Sequence, residues 1–368
     1  MNKARIIVGD NRATLQKLEA GSVQCVVTSP PYWGLRDYGT ATWIGGDEGC
    51  THRRESKYSA DNITGHANAG IGGVGDAIYK DTCPRCGAVR QDDQIGLELT
   101  PAEYVEQLCQ VFDEVWRVLA DDGTLWLNLG DTYVGTGSKG DLKDPKYAEG
   151  RNGQATALNG KVAGLKSKDL VGIPWRVAFA LQERGWYLRQ DIIWAKPNPM
   201  PESVLDRCTK SHEYIFLLTK SRKYFFDSEA IREEQSPNTA LDLARRKTLD
   251  NKGTYGDVRP DLGRSREDYV PSDGKRNKRD VWTVATRPYA EAHFATYPPE
   301  LILPCILAGS REGDTVLDPF SGSGTTGEVA LQQGRNYIGT ELNPDYAKLS
   351  LKRISDAVGL FGEVELDD

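Results

Sequence analysis

Close to its C-terminal end the chain reads DTVLDPFSGSGTTGEVALQQG (314–334), an apolar strand, a run of glycines and the opening of a helix. Few local patterns constrain a fold as tightly. Gly322, Gly324 and Gly327 satisfy G-x-G-x-x-G, and Glu341 ends the next apolar run, NYIGTE, roughly 20 residues on. Glycines let a backbone approach a ligand closely, and a carboxylate at a strand end can bridge two ribose hydroxyls. By itself the pattern is compatible with a nicotinamide-dependent dehydrogenase, or with a structural glycine turn that binds nothing.

Chain order narrows the choice. Beyond Glu341 there is room for one helix, Pro344 to Val358, and then an acidic end, 359–368, which reads as a tail. A nucleotide-binding sheet needs more strands than the C-terminus has left, so the N-terminus must supply them. ARIIV (4–8) becomes the third strand, with Asp10 at its carboxyl end, and SVQCVVTS (22–29) the fourth. Further strand-like runs are GTLWLNL (123–129), RQDIIWA (189–195) and EYIFLLT (213–219). Between them lie helical patterns, such as Tyr104, Leu108, Val111, Val115 and Leu119, opened by Thr100-Pro101 as cap and first turn. Strands alternating with helices predict an α/β fold with a doubly wound, mostly parallel sheet. Ligands of such sheets sit outside the carboxyl ends of the strands. Asp318, Glu341, Asp10 and the corner Ser29-Pro30-Pro31-Tyr32 are therefore expected to face one crevice. The two prolines of that corner remove backbone donors and fix φ, so carbonyls are presented in a set direction beside an aromatic ring.

Three segments break the alternation: the Gly-, Asp- and Asn-rich residues 40–98, a Gly/Lys-rich loop at 134–168, and the charged residues 228–288. They are expected as inserts on a scaffold formed by 1–39, 99–227 and 289–358. With 53 acidic and 46 basic side chains the formal net charge is −7, so any nucleic-acid surface must be a local basic patch. No apolar run approaches the roughly 20 residues of a membrane span. MNKARIIVGDN has no signal-peptide core, and the 7 cysteines form no disulfide framework. A cytoplasmic, reducing compartment is expected.

TSPPY at 28–32, WAKPNPMP at 194–201, and HFATYPPEL followed by DPFSGSGTT resemble the β-group of S-adenosylmethionine-dependent DNA amino-methyltransferases, in which the catalytic motif precedes the cofactor motif. The likeness extends over most of residues 4–355 and implies a Rossmann-like methyltransferase fold, mostly parallel with one antiparallel strand. It also implies a bacterial or phage origin, duplex DNA as substrate and a cognate restriction endonuclease as a possible partner. By the same resemblance, Asp318, Phe320, Gly322 and Gly324 line the methionine end of the cofactor, Glu341 takes the ribose and Asp10 meets the adenine. Thr28, Thr325 and Asn343 complete that set, and the helix begun by Tyr297-Pro298-Pro299 closes the pocket.

The corner suits amine chemistry. An exocyclic amine conjugated with its base ring is a poor nucleophile. Hydrogen bonds from it to Ser29 and to the Pro30 carbonyl favour a more tetrahedral nitrogen, so that positioning and electrostatics carry the reaction. Pro31 fixes the turn, Tyr32 offers a face to an extruded base, and Trp33 is expected as a further wall. Serine as first residue of the motif resembles cytosine-N4 enzymes, with adenine N6 as the alternative. A nicotinamide-linked oxidoreductase and an idle DNA-binding protein are the contrasting classes.

From Arg232 to Arg287 there are 13 Lys/Arg against 10 Asp/Glu, reversing the sign of the whole chain. Arg245, Arg246, Lys247, Lys275, Arg276, Lys278 and Arg279 are expected to contact phosphates and position a duplex. Cys50, His52, Cys83 and Cys86 have the makings of a structural Cys3His zinc site, with His66 competing for the place of His52. Cys25, Cys109 and Cys305 fall in apolar patterns and are expected in the core; Cys208 has no assigned role.

Overall fold

The computed structural model describes residues 2–34, 38, 40–52, 82–135, 164–235, 274–287, 296–359 and 362–367. His66, Arg245, Arg246 and Lys247 lie outside the described residues, as does most of the 134–168 loop.

Among the described residues, nine strands form one sheet. They are β1 (Asn2–Val8), β2 (Val23–Thr28), β5 (Leu119–Leu129), β6 (Tyr187–Ala195), β7 (His212–Thr219), β10 (Val281–Thr283), β11 (Thr315–Asp318), β12 (Asn336–Glu341) and β13 (Gly362–Asp367). Their order is β10-β6-β7-β5-β2-β11-β12-β1-β13. Only β7 runs against its neighbours, pairing antiparallel with both β5 and β6. The glycine-loop strand β11 thus lies between β12 and β2, with β1 beyond β12, as chain order requires.

Side chains of the central strands alternate between two buried faces. Cys25 and Val27 of β2 join one core cluster while Val26 joins the other, and Ile215 and Leu217 of β7 oppose Phe216 and Leu218 in the same way. On one face the helix Pro101–Val118 buries Tyr104, Leu108, Val111 and Val115, the i, i+3, i+4 stripe of its sequence. Its start is fixed by a capping box: the Thr100 hydroxyl accepts from the Glu103 N–H, and the Glu103 carboxylate accepts from the Thr100 N–H. The helices Pro299–Gly309, Thr325–Gln332 and Pro344–Val358 contribute to the opposite cluster. Cys25, Cys109 and Cys305 are buried in these cores and Cys208 is exposed.

Two elements differ from expectation. The acidic end is not a tail: β13 adds to β1 as a parallel edge strand, with Lys3 paired to Glu363 at 2.9 Å and Arg5 to Asp367. Its GEVELD pattern is too charged to signal a strand, yet those charges match the basic residues of β1 and discourage further edge pairing. The charged 228–288 segment also returns to the scaffold. Val281–Thr283 forms the opposite edge strand beside β6, with Trp282 buried against the core. Two small hairpins decorate the sheet: β3 (Thr42–Ile44) with β4 (Val89–Gln91), and β8 (Glu233–Glu234) with β9 (Lys275–Arg276).

Candidate active site

A cavity of about 790 Å³ opens outside the carboxyl ends of the central strands. Ser29, Pro30, Pro31 and Tyr32, which follow β2, line it together with Phe320, Gly322 and Thr325 of the glycine loop after β11. Asp10, after β1, and Glu341, at the end of β12, complete that wall. Two sequence motifs nearly 300 residues apart therefore share one chamber because β2 and β11 are adjacent strands.

Glu341 organises the glycine-loop end. Its carboxylate accepts from the N–H of Gly322 at 2.8 Å and from the N–H of Asn343 at 2.9 Å. Burial pushes its carboxyl up to about 7, against the pull of those amides. Asp10 caps the helix Asn11–Gln16 and pairs with Arg12 at 2.6 Å. The glycines divide their work. Gly322 and Gly324 hold left-handed backbone, φ +52° and +80°. A Cβ on Gly324 would meet Ser350 Cα at 2.9 Å, and one on Gly327 would meet the Tyr337 ring at 2.7 Å. Those two glycines seat the loop and its helix against their neighbours, which is how a fingerprint glycine permits close helix–sheet packing.

Four of the expected cofactor residues are not part of the cavity lining. Gly324 is one. Asp318, 1% exposed, is a buried hub. It accepts from Thr28 Oγ1 (2.6 Å), Thr326 Oγ1 (2.7 Å), Tyr297 OH (3.0 Å) and the Phe320 N–H (3.0 Å). Burial raises its carboxyl above the ordinary range, and the four donors oppose that rise. Thr28 thus serves Asp318, locking β2 to β11. Asn343 caps the helix Pro344–Val358 and donates to the Tyr38 carbonyl at 3.3 Å. Tyr297 lines the cavity just before the helix Pro299–Gly309, so the expected closing element borders it.

At the other end, Tyr32 is held on all sides. Its hydroxyl donates to Glu213 Oε2 at 2.7 Å and lies 3.1 Å from Asn128 Oδ1. The Ser29 hydroxyl donates to the Tyr32 hydroxyl oxygen at 3.4 Å, and Tyr104 OH donates to the Pro31 carbonyl at 2.8 Å. Burial, reinforced by the Glu213 charge, pushes the Tyr32 phenol well up, so it remains a donor. Gly130 backs the ring: any Cβ there would lie 2.5 Å from Tyr32 Cε2. Glu213 also pairs with Lys196 of the WAKPNPMP segment, whose ammonium stands 4.2 Å over the Trp194 ring. Lys210, its ammonium drawn down by burial, donates to the Asp131 carbonyl. Asn128, Glu213 and Lys210 were not among the residues expected from sequence, although GTLWLNL ends, and the antiparallel EYIFLLT begins, at the correct side of the sheet. Trp33 is a correction. It is 1% exposed, turned into the core, and its indole N–H donates to the Glu98 carbonyl at 2.9 Å; it is no wall of the cavity.

Of the expected DNA contacts, Arg276 and Arg279 both reach Glu233, at 3.0 and 2.7 Å, and Lys278 stands 5.0 Å over the Trp282 ring. Lys275 precedes Arg276 in β9. The basic cluster is thus partly neutralised on its own hairpin. Cys50, His52, Cys83 and Cys86 come together, their ligand atoms all within 4.8 Å of one another.

Comparison with known proteins agrees with this geometry. A family model described as DNA methylase, covering N6 and N4 methyltransferases, matches residues 23–352. The Type II methyltransferase M.Cfr9I of Citrobacter freundii is 42% identical over 96% of this chain and 88% of its own length. The Type II methyltransferase M.SmaI of Serratia marcescens is 40% identical over 96% and 91%. Among solved structures, PvuII DNA methyltransferase (cytosine-N4-specific) aligns with TM-score 0.53 at 16% identity, covering 100% of this chain and 95% of that one. A putative DNA modification methylase from Thermus thermophilus, complexed with S-adenosyl-L-methionine, aligns with TM-score 0.51 at 21% identity, covering 99% and 100%. These two share the fold. The glycine loop and the Ser-Pro-Pro-Tyr corner on one cavity, the family match and the full-length relatives lead to one conclusion: the chain belongs to the N6/N4 DNA methylase family and is a DNA amino-methyltransferase.

Proposed function

We propose that the chain transfers a methyl group from S-adenosylmethionine to N4 of a cytosine extruded from duplex DNA. The observation that carries this reading is the shared cavity, with the Ser29–Tyr32 corner at one end and the glycine loop with Glu341 at the other. When bound, the cofactor supplies an electrophilic sulfonium methyl.

The residues present fit that group better than a dinucleotide. Glu341 offers a carboxylate suited to ribose hydroxyls, and no cation stands within the Pro319–Thr325 loop to meet a phosphate. Arg353 reaches the hydroxyls of Ser323 and Thr325 but is also paired with Glu328 at 2.6 Å. Gly324 presses on Ser350, leaving no open approach for a pyrophosphate at that position.

Ser29 Oγ and the Pro30 carbonyl accept from the target amine and orient its lone pair. Tyr32, its hydroxyl anchored by Glu213, presents a fixed ring for the base to stack on. Serine in the first position of the corner favours cytosine N4 over adenine N6. Lys275, Arg276, Lys278 and Arg279 stand near the duplex in this reading and position it through phosphates, with partial neutralisation keeping the contact weak enough to search sequence. The Type II names of the relatives support a partner nuclease of matching specificity. No helix among the described residues is long and apolar enough to cross a membrane.

The test is direct. Duplex DNA methylated by the purified protein is digested to nucleosides and the product identified by mass and chromatography. N4-methylcytosine is the expected product. N6-methyladenine moves the assignment to the other amine, and no labelled product removes the transferase reading.

A further inference from the structure

We propose that Cys50, His52, Cys83 and Cys86 bind one zinc ion, and that this ion clamps the outer wall of the cofactor cavity. Two of the distances are those that a tetrahedral metal sets. A tetrahedral zinc with Zn–S near 2.3 Å and Zn–N near 2.0–2.1 Å sets its ligand atoms about 3.5–3.8 Å apart. Cys50 Sγ lies 3.8 Å from Cys83 Sγ, and Cys86 Sγ lies 3.5 Å from His52 Nδ1. A disulfide would need about 2.05 Å, and the ligand atoms of all four side chains lie within 4.8 Å of one another.

The surrounding chain is built for such a knuckle. The Gly87 N–H donates to the Cys83 carbonyl at 2.7 Å, and the Cys83 N–H to the Ala88 carbonyl at 2.8 Å. Gly87 has φ +78°, the left-handed turn that the CPRCG sequence needs. His52 itself has φ +52°, uncommon without a Gly, and its ring stacks on Trp43 at 4.3 Å and 14°. That stacking aims Nδ1 at the sulfurs. Gly46 leaves room for Cys86, whose Sγ would be 2.8 Å from any Cβ there.

The knuckle caps the β3–β4 hairpin, and the hairpin's other end continues into the cavity wall. Tyr38 and Thr40 precede β3; Asp93, Gln94 and Ile95 follow β4, and all five line the cavity. The two sides are cross-linked: the Tyr38 N–H donates to Gln94 Oε1 at 2.7 Å, and Thr40 Oγ1 to Asp92 Oδ1 at 3.0 Å. Tyr38 further meets Tyr346 edge-on at 6.3 Å, and its carbonyl accepts from Asn343 at 3.3 Å. A hairpin of 3 residue pairs is marginal by itself. A metal tying Cys50 and His52, which follow β3, to Cys83 and Cys86, which precede β4, removes most of its freedom. The ion thus has a structural role, distant from methyl transfer, that pre-orders the cofactor's wall.

This coupling rests on the cofactor reading above, whereas the metal site stands independently of it. Zinc is measured in full-length protein purified without chelator, and cobalt(II) is exchanged in to read thiolate ligation from its absorption. One equivalent of zinc and a tetrahedral cobalt–thiolate spectrum are expected. Both should be lost in Cys83→Ser and Cys86→Ser but kept in Cys208→Ser, a change at an exposed cysteine outside the cluster. Calorimetry with S-adenosylhomocysteine should then show affinity falling at least about tenfold on zinc removal, the scale of ordering one or two wall side chains, and recovering on zinc return. Less than about half an equivalent of zinc, with no cobalt spectrum in the wild type, overturns the site. Full zinc with unchanged affinity after its removal overturns the clamp. Failure of the zinc-loaded protein to bind S-adenosylhomocysteine overturns the clamp and the cofactor reading while leaving the metal site standing.

Discussion

Replacing Gly130 by alanine should slow methyl transfer by roughly a hundredfold while sparing the cofactor end. The added Cβ would lie 2.5 Å from Tyr32 Cε2, 3.0 Å from Cδ2 and 3.2 Å from Cζ. Carbon atoms settle at about 3.5–4.0 Å, so the ring must withdraw by about 1 Å or force the backbone aside. Its hydroxyl is now 2.7 Å from Glu213 Oε2. A movement of about 1 Å takes that pair out of hydrogen-bonding range and tilts the face on which the base would rest. Displacement of that size typically costs on the order of 10²-fold in rate, and the overpacking itself about 1–3 kcal/mol in stability. Single-turnover transfer of labelled methyl to a duplex substrate reads the first, and urea unfolding the second. S-adenosylhomocysteine affinity should stay near the wild-type value, because the glycine loop lies across the cavity. A rate within about threefold of wild type would refute the claim that Tyr32's position governs transfer.

Tyr32→Phe keeps the ring and loses the bond to Glu213 together with the longer contacts to Asn128 and Ser29, so transfer should fall by about tenfold, the scale of one hydrogen bond to a charged group. Tyr32→Ala removes the stacking face and should abolish transfer with cofactor binding retained; equal activity in both variants would exclude stacking. Asp318→Asn turns an acceptor of four donors into a group with its own N–H bonds among them. It should destabilise the fold by about 1–3 kcal/mol in urea unfolding, and a neutral result would deny the hub its role. Glu341 tests pH linkage. Its folded value, about 7, lies above the roughly 4.3 of an unfolded glutamate, so the folded state holds an extra proton between them. Its contribution to stability is present below the unfolded value and lost as pH rises through about 7. Glu341→Gln, free of that loss, should gain in melting temperature relative to wild type from about pH 5 to about pH 8; a constant difference would rule out burial as the cause.

Much of this protein was written locally. NYIGTE is a strand from Asn336 to Glu341 as its apolar run predicts, and Pro344–Val358 is a helix with Asn343 as cap. The glycine loop after β11 and the proline corner after β2 could be placed on one edge of a sheet from chain order alone. Strand period and the rule that such ligands sit at carboxyl ends are properties of the backbone, and they survive any choice of side-chain neighbours. Pairing is different in kind. That β7 runs antiparallel between β5 and β6 brings Glu213 to Tyr32 across 181 positions, and a one-residue slip would have sent it to the other face. The direction of Trp33, the need for Gly130, the bond from Thr28 to Asp318 and the capture of GEVELD by β1 likewise depend on what packs beside each residue. Sequence alone therefore settled the central strands and the sheet edge at which the two motifs meet, through periodicity and turn chemistry. Only tertiary packing decided which side chains line the cavity and which hold the lining ones still, because such contacts join residues whose separation along the chain carries no signal.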